Sequence, residues 1–366
     1  MSLSILHIAP QNTAGVPFEI VRGERARGID SHLITMWHHP YGFPNGECLN
    51  LPFTAGGIVS KFQRLLKTTP KTVNRRRSDG GALPPIWRGD RFPAKQLFAM
   101  RDVLWESKLR KLGFPERLND YGIIVLDGGI PLLRSGKWIL NWASRGGKLA
   151  TTYYGSDLRQ HGVLPQIDEA AGAVFVMEFD HKSLHPRATW LPFPFDASNI
   201  QPANPPESAI RIGHVASVRS AKGTDIIIDA IRRAGEAVEC EPVIIEKRPH
   251  KETLALKSTC HIFIDQLGEL GYGISGLESL AMGIPTVVEL LPDHEKFLGD
   301  HPFAVANADN LADVLVELAR NSDRRAEMAE RGRIWLDEFH NPNRTIDTIF
   351  ERYTELGWLS SGENLK

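Results

Sequence analysis

Short apolar runs rich in Ile and Val alternate along this chain with stretches whose apolar positions recur every three to four residues. Ser4–Ala9, Ser31–Met36, Ile123–Asp127, Lys148–Thr152 and Ala173–Met177 have the length and side-chain content of buried strands, and Ile20–Arg27 and Leu132–Arg145 carry helical spacing. Strand, helix and strand in that order predict a parallel sheet with crossover helices, an α/β class of fold. The alternation begins again after residue 205. Strands are predicted at Ile210–Ala216, Pro242–Glu246, His261–Asp265 and Thr286–Glu289, and helices at Thr224–Arg233 and Ser275–Met282. Between the halves, Pro192–Asp196 and Gln201–Glu207 are rich in proline and disfavour both helix and ladder, so the hinge is expected there. The expected organisation is an N-terminal domain over 1–195, a second over 196–340, and a terminal helix over 341–366 that is a candidate to return to the first. Helical patterns at Leu311–Arg320, Arg324–Phe339 and Thr345–Leu356 fill the tail, with Asn341-Pro342 as a break.

Length and composition agree with two soluble cores: 366 residues, 42% hydrophobic and 24% charged. Lys and Arg number 43 against 44 Asp and Glu, so the net charge of -1 makes no global case for nucleic acid. Cys48, Cys240 and Cys260 are too few and too scattered for a disulfide framework or a cysteine-based zinc site, which fits a reducing cytoplasm. The opening residues lack the basic and apolar regions of a secretory leader, and no run approaches the roughly 18 apolar residues of a membrane span. A cytoplasmic protein is expected. One segment changes this even picture. Lys61–Arg117 holds 15 Lys and Arg against five Asp and Glu, with Lys61, Arg64, Lys67 and Lys71 at helical spacing around Phe62, Leu65 and Leu66. It is either a solvated basic face or a disordered loop, or else a contact for an anionic membrane surface at the inner face or for an anionic acceptor.

In parallel α/β domains ligands collect at the carboxyl ends of strands, so candidate chemistry is sought in the loops that follow them. Gln11–Gly15 follows the first strand. Gly15 would let a phosphate approach the helix that Pro17 helps to start, although a plain tight turn explains it as well. Arg219-Ser-Ala-Lys222-Gly223-Thr224-Asp225 follows the first strand of the second half. Two cations at a helix start oppose the helix dipole, a penalty that a bound diphosphate would reverse; surface solubility is the alternative. The third loop is Gly268–Thr286, in which Gly271, Gly273 and Gly276 match G-x-G-x-x-G. That match does not indicate a dinucleotide-dependent dehydrogenase, because the glycines lie well beyond a later strand of the domain instead of in the tight turn after its first. Backbone N–H groups at a glycine-rich helix entrance still suit oxyanions. Glu278, one turn into the helix, is placed to accept hydrogen bonds from a ribose diol, or is simply a carboxylate favoured by the dipole.

Taken together, these residues resemble the GT-B glycosyltransferases, in particular the large retaining group that uses nucleotide-sugar donors, family 4-like. The resemblance covers nearly the whole chain and is strongest from Ile210 to Val288. Lys222-Gly223-Thr224-Asp225 resembles the group's K-G-x-D/E segment, and Gly271–Pro285 its G-F-G-L-x-x-L-E-A-M-A-x-G-x-P signature. Gly15 corresponds to the N-domain glycine loop, and Gly155-Ser156-Asp157 to H-G-x-D. The resemblance implies two Rossmann-like domains with parallel sheets facing a central cleft. It implies sugar transfer with retention from a nucleoside-diphosphate sugar to a glycan, lipid-linked or small-molecule acceptor. Arg219 and Lys222 would neutralise the diphosphate. Gly15 and Gly271, Tyr272, Gly273, Ile274, Ser275, Gly276, Leu277 and Glu278 would hold the donor. Tyr154 and Asp157 would hold sugar or acceptor, Asp157 or Ser156 otherwise serving as a loop cap. No D-x-D triplet occurs, so no metal is expected, and the nucleotide sugar is a co-substrate with no further cofactor. The sequence departs from the group twice: Leu270 stands where the first of two paired glutamates belongs, Glu269 being one position out of register, and Tyr154 replaces the usual histidine. A catalytically silent nucleotide-sugar-binding subunit and a GT-B sugar-nucleotide epimerase are the alternatives.

Overall fold

The computed structural model describes residues 3–52, 84–87, 94–155, 157–207, 209–268 and 271–359. About half of the basic Lys61–Arg117 segment, including Lys61, Arg64, Lys67 and Lys71, lies outside the described residues, as do Ser156, Glu269 and Leu270. The chain divides into two compact units, one comprising the described residues of Met1–His39, Phe43–Pro192 and Thr345–Lys366, the other Pro40–Gly42 and Phe193–Arg344.

The first unit is built on seven strands, β1 (Ser4–Ala9), β2 (Asp30–Thr35), β3 (Glu47–Cys48), β4 (Ile123–Asp127), β5 (Lys148–Tyr153), β6 (Ala173–Val176) and β7 (Ala188–Trp190). All pair in parallel, in the order β3-β2-β1-β4-β5-β6-β7. The central strands are buried on both faces, as a parallel sheet covered by helices must be; β4 has no residue facing solvent. The apolar side chains of the sheet, among them Leu6, Ile8, Ile34, Leu126, Leu149 and Val174, pack with Trp105, Phe114 and Trp142 from the covering segments. Each such burial contributes on the order of 1.5–3 kcal/mol. Helix α1 (Val16–Ala26) crosses from β1 to β2, α2 (Ala94–Lys111) precedes β4, and α3 (Lys137–Ser144) joins β4 to β5.

The helix expected over Leu132–Arg145 is shorter at its start. Gly136 sits at φ +62 immediately before α3, a left-handed conformation that ends helical continuity, and Leu132 and Leu133 bury themselves from a loop instead. The chain from Thr345 onward belongs to this unit. Ile346 packs where a Cβ on Gly23 would approach to 2.6 Å, Tyr353 meets Phe175 edge to face at 5.9 Å, and Lys148 Nζ donates to the Trp358 carbonyl at 2.8 Å.

The second unit has five parallel strands, β8 (Ile210–Ala216), β9 (Cys240–Glu246), β10 (Ile262–Ile264), β11 (Thr286–Val288) and β12 (Ala304–Val305), ordered β12-β11-β10-β8-β9. Between β8 and β9 come the single turn α4 (Arg219–Lys222) and α5 (Thr224–Ala234). Then follow α6 (His250–Lys257), α7 (Ile274–Met282), α8 (Pro292–Leu298), α9 (Leu311–Arg320) and α10 (Ser322–Phe339). Ile227, Ala230, Ile231 and Ala234 of α5 cover Ile212, Ile262 and Ile264 together with Leu311, Leu315 and Leu318 of α9. Among the described residues no helix is long and apolar enough to cross a membrane.

Candidate functional site

Each sheet has one place where the strand order reverses, the position at which ligands generally bind in parallel α/β folds. In the second unit the reversal lies between β8 and β10, because β8 is followed outward by β9 on one side and by β10 on the other. The loops in question are therefore the one carrying Arg219–Asp225 and the one running from Asp265 to Gly273.

These loops are stitched together by backbone. The Leu267 amide donates to the Lys222 carbonyl at 3.1 Å, and the adjacent Gly223 sits at φ +66 with the Leu267 carbonyl so close that a Cβ would come within 2.4 Å of it. Only glycine meets both demands. The start of α5 is fixed from below by His214 of β8. Its Nδ1–H donates to the Ile264 carbonyl at 2.9 Å, which leaves Nε2 to accept from the Thr224 hydroxyl at 3.0 Å. Burial pushes His214 below its ordinary pKa, consistent with this neutral tautomer.

The stitching brings Lys222 to the end of β10, where Nζ donates to Gln266 Oε1 and lies 3.4 Å from Asp265 Oδ1. Asp265 is fully buried and its other oxygen accepts the Gly273 amide at 2.7 Å, at the entrance to α7. A carboxylate at a helix N-terminus is favoured by the dipole, and here it also holds a lysine. Gly276, one turn further, faces the same carboxylate: a Cβ there would stand 3.0 Å from Asp265 Oδ2. The glycine pattern is therefore shaped around Asp265 and follows β10, not the first strand of its unit, as expected when the dehydrogenase reading was set aside. Among Gly271–Glu278 only Gly273, Ile274 and Ser275 are partly exposed.

Three expectations for this unit change. Arg219 does not stand beside Lys222 at the β10 loop in the structure; its guanidinium donates to Asp225 Oδ1 at 2.5 Å and to Glu246 Oε1 at 3.0 Å. The repulsion expected of two cations at a helix start is thus offset by neighbouring acids, with no anion required. Tyr272 is not a ligand-facing ring. It is buried among His294, Phe303, Trp335 and His340, with centroid separations of 4.8 to 5.8 Å, and its hydroxyl reaches His340 Nε2 at 3.0 Å. An aromatic ring in a loop beside an apolar core gains more from that core than from solvent. Leu277 is likewise fully buried. Glu278 is 5% exposed, with Oε1 at 2.6 Å from His250 Nε2 and Oε2 at 2.6 Å from Lys257 Nζ. Burial would raise its pKa, but Lys257 and His250 outweigh that and hold it down at about 2.

In the first unit the reversal lies between β1 and β4. Gly15, at φ +81, opens α1 on one side of it. Asp127 ends β4 on the other, and Tyr154 and Asp157 follow β5, the next strand. The Tyr154 hydroxyl donates to Asp127 Oδ1, and the Tyr154 amide donates to Asp157 Oδ2 at 2.9 Å, so the structure does bring Tyr154 and Asp157 together. Burial pushes the Asp157 carboxyl up to about 7, against the pull of the Tyr154 amide and Arg159. Behind Asp127 lies His7 of β1, with Nδ1 at 3.1 Å from Asp127 Oδ2 and Nε2 at 3.2 Å from Glu24 Oε2, which also accepts from Ser31 Oγ at 2.5 Å.

Sequence reasoning passed over Asp127, Asp265, Gln266, His7, Glu24, His250 and Lys257. A signal existed for two of them: Asp127 and Asp265 each close an apolar strand with an acid on the edge where ligands gather.

Two successive parallel α/β units, each with one strand-order reversal, have the GT-B fold, as the resemblance implied. Among solved structures the chain is similar to sucrose-phosphate synthase from Thermosynechococcus elongatus, with a TM-score of 0.59, 13% identity, and coverage of 98% of this chain and 100% of that one. It is similar also to an alpha-glucosyltransferase in complex with UDP and a 13-mer DNA, with a TM-score of 0.56, 12% identity, and coverage of 96% and 99%. TarM of S. aureus matches at a TM-score of 0.48 and 11% identity over 69% of this chain, which spans 59% of TarM's length. No protein-family model matches the sequence, and no curated protein matches it.

Proposed function

We propose that the protein is a glycosyltransferase that moves a sugar from a nucleoside-diphosphate sugar to a hydroxyl-bearing acceptor, a glycan or lipid-linked molecule, with retention and without a metal ion. The observation that carries this reading is the cluster of Lys222, Asp265 and the Gly273 amide at the strand-order reversal of the second unit. Lys222 is one fifth exposed, so its ammonium can exchange Gln266 for a phosphate oxygen while the buried Asp265 keeps it in place. Charge-assisted contacts of this kind are about twice as strong as neutral ones and stabilise a departing diphosphate most when it carries most charge. Arg219 adds a second cation once it exchanges Asp225 or Glu246 for phosphate. Glu278 takes the ribose hydroxyls, and Gly273, Ile274 and Ser275 supply the helix entrance. In the first unit Gly15 gives a sugar or phosphate room at the mouth of α1, and Tyr154 and Asp157 hold sugar or acceptor. The fold shared with a UDP-bound alpha-glucosyltransferase supports the nucleotide.

The proposed place of action is the cytoplasm, with peripheral contact to an anionic membrane through Lys61–Arg117. In the described part of that segment α2 exposes Met100, Val103 and Leu104 and ends in Lys108, Arg110 and Lys111. The site is tested by calorimetry with UDP, GDP and ADP on the wild type and Lys222→Ala. At least one nucleotide is expected to bind the wild type, and its affinity is expected to fall at least tenfold in the variant, since about 1.4 kcal/mol is tenfold and a hydrogen bond to a charged group is worth about that or more. Equal affinities would remove Lys222 from the site, and no binding of any nucleotide would remove the function.

A further inference from the structure

The carboxylates around the proposed diphosphate site differ in whether they can leave it. Arg219 is held by Asp225 and Glu246, whose side chains are 81% and 33% exposed, so both acids can turn into water when a ligand takes the guanidinium. Glu289, which accepts the Gly268 amide at 2.7 Å, is also partly exposed. Asp265 has no such freedom. Its side chain is sealed from solvent, Oδ2 is bound to the Gly273 amide, and its own amide donates to the Val287 carbonyl at 3.0 Å. Helix α7 passes so close at Gly276 that a Cβ there would come within 3.0 Å of Oδ2. Oδ1 lies 3.4 Å from Lys222 Nζ. Any anion that binds Lys222 therefore shares that lysine with a negative charge that is fixed in place and hidden from water.

We infer that Asp265 is a specificity-determining residue of the donor site: it offsets the preference of Lys222 for highly charged ligands, and so narrows the advantage of the freed nucleoside diphosphate over the sugar nucleotide from which it comes. The inference rests on the proposed donor site, with the terminal phosphate on Lys222. Transfer breaks the bond between the anomeric carbon and the terminal phosphate oxygen and leaves the electron pair on that oxygen. The anomeric carbon joins the acceptor oxygen, whose proton passes to solvent. The diphosphate thereby goes from two charges to three above the second ionisation of a phosphate, at about pH 6. A phosphate oxygen about 2.8 Å from the ammonium lies within about 6 Å of Asp265 Oδ1. In fully screening water the added charge gains about tenfold from Lys222 and loses about threefold to Asp265; at the dielectric typical near a protein surface the loss alone reaches about a hundredfold. The fixed carboxylate thus works for release of the spent nucleotide.

The test compares UDP, GDP and ADP with their β-methyl esters, which lack the third charge, by calorimetry on the full chain at about pH 8 in buffer free of divalent cations. The wild type is expected to bind the free and esterified forms of its nucleotide within about tenfold of each other. In Asp265→Asn the ratio is expected to move at least threefold further toward the free form, the fully screened limit. A merely structural role for Asp265 would weaken both ligands and leave their ratio unchanged. Should Asp265→Asn fail to fold, Asp265→Ser is read in the same way, its hydroxyl still able to accept the Gly273 amide; should both fail, the wild-type ratio decides. The inference is overturned if the ratio in the folded variant equals that of the wild type, or if the wild type prefers the free form by more than about tenfold. Either result leaves the donor site standing, whereas absence of binding by every nucleotide would sink the donor site and the inference with it.

Discussion

The buried trio of His7, Glu24 and Asp127 makes a quantitative prediction about alkaline stability. His7 is 2% exposed, Glu24 is fully buried and Asp127 is 1% exposed. Burial by itself would push the imidazole pKa down, but the two carboxylates outweigh it and raise it from 6.5 to about 10. In the folded protein His7 is therefore charged throughout the neutral range, whereas in the unfolded chain it loses its proton above about pH 6.5. Between those values the native state binds one more proton than the unfolded state, so stability falls with rising pH by about 1.4 kcal/mol per unit. The contribution is complete below about pH 6.5 and is lost as pH climbs to about 10. The perturbation is His7→Gln, which fills much the same space with no charge and leaves two buried carboxylates unpaired, at a cost of about 3–5 kcal/mol near neutrality. The measurement is urea denaturation of wild type and variant from pH 7 to 9. The wild-type midpoint should drop steadily across that range and the less stable variant should be nearly flat. Parallel curves, or a variant as stable as the wild type at pH 7, would show that His7 is not the charged centre of the trio.

Two other outcomes bear on the site and its surroundings. Gly223→Ala places a Cβ 2.4 Å from the Leu267 carbonyl at φ +66, so the two loops must separate. Strain of about 1–3 kcal/mol and a clear fall in nucleoside diphosphate affinity are expected, read by thermal melting and calorimetry; unaltered affinity would mean that the stitching of the loops does not position Lys222. For Lys61–Arg117, with its ten surplus positive charges, sedimentation with phosphatidylserine-containing vesicles is expected at low salt and is expected to fade as salt rises. Equal sedimentation with neutral vesicles would speak against an electrostatic membrane contact.

The strands that order both sheets were legible because a doubly covered parallel strand needs a short unbroken apolar run, and β1, β4 and β8 carry one with clear punctuation at each end. The edge strands β3 and β12 have two residues each, too few for any periodicity, and they exist only because a neighbour offers a free edge. Helix α6 escaped detection because its buried face includes Thr253 and Lys257, so its inward side does not read as apolar. The glycine loop was legible as a break between a strand and a helix from its glycines. The burial of Tyr272 was not, since a tyrosine in such a loop faces ligand or core according to whether His294, Phe303 and Trp335 arrive behind it.

What the chain determines by itself is local: the alternation of strand and helix, the punctuation by Gly and Pro, and the positions of loops that follow strands. These suffice for two parallel α/β units and for the loops in which Gly15, Lys222 and Gly273 lie. Tertiary structure decided everything that depends on which charges share a buried space. Lys222 meets Asp265 across 43 residues of chain, Lys257 meets Glu278 across 21, and His7 meets Asp127 across 120. A charge hidden from water is tolerated only where an opposite charge or a donor is brought to it, and which partner is brought depends on strand order, a property of the sheet as a whole.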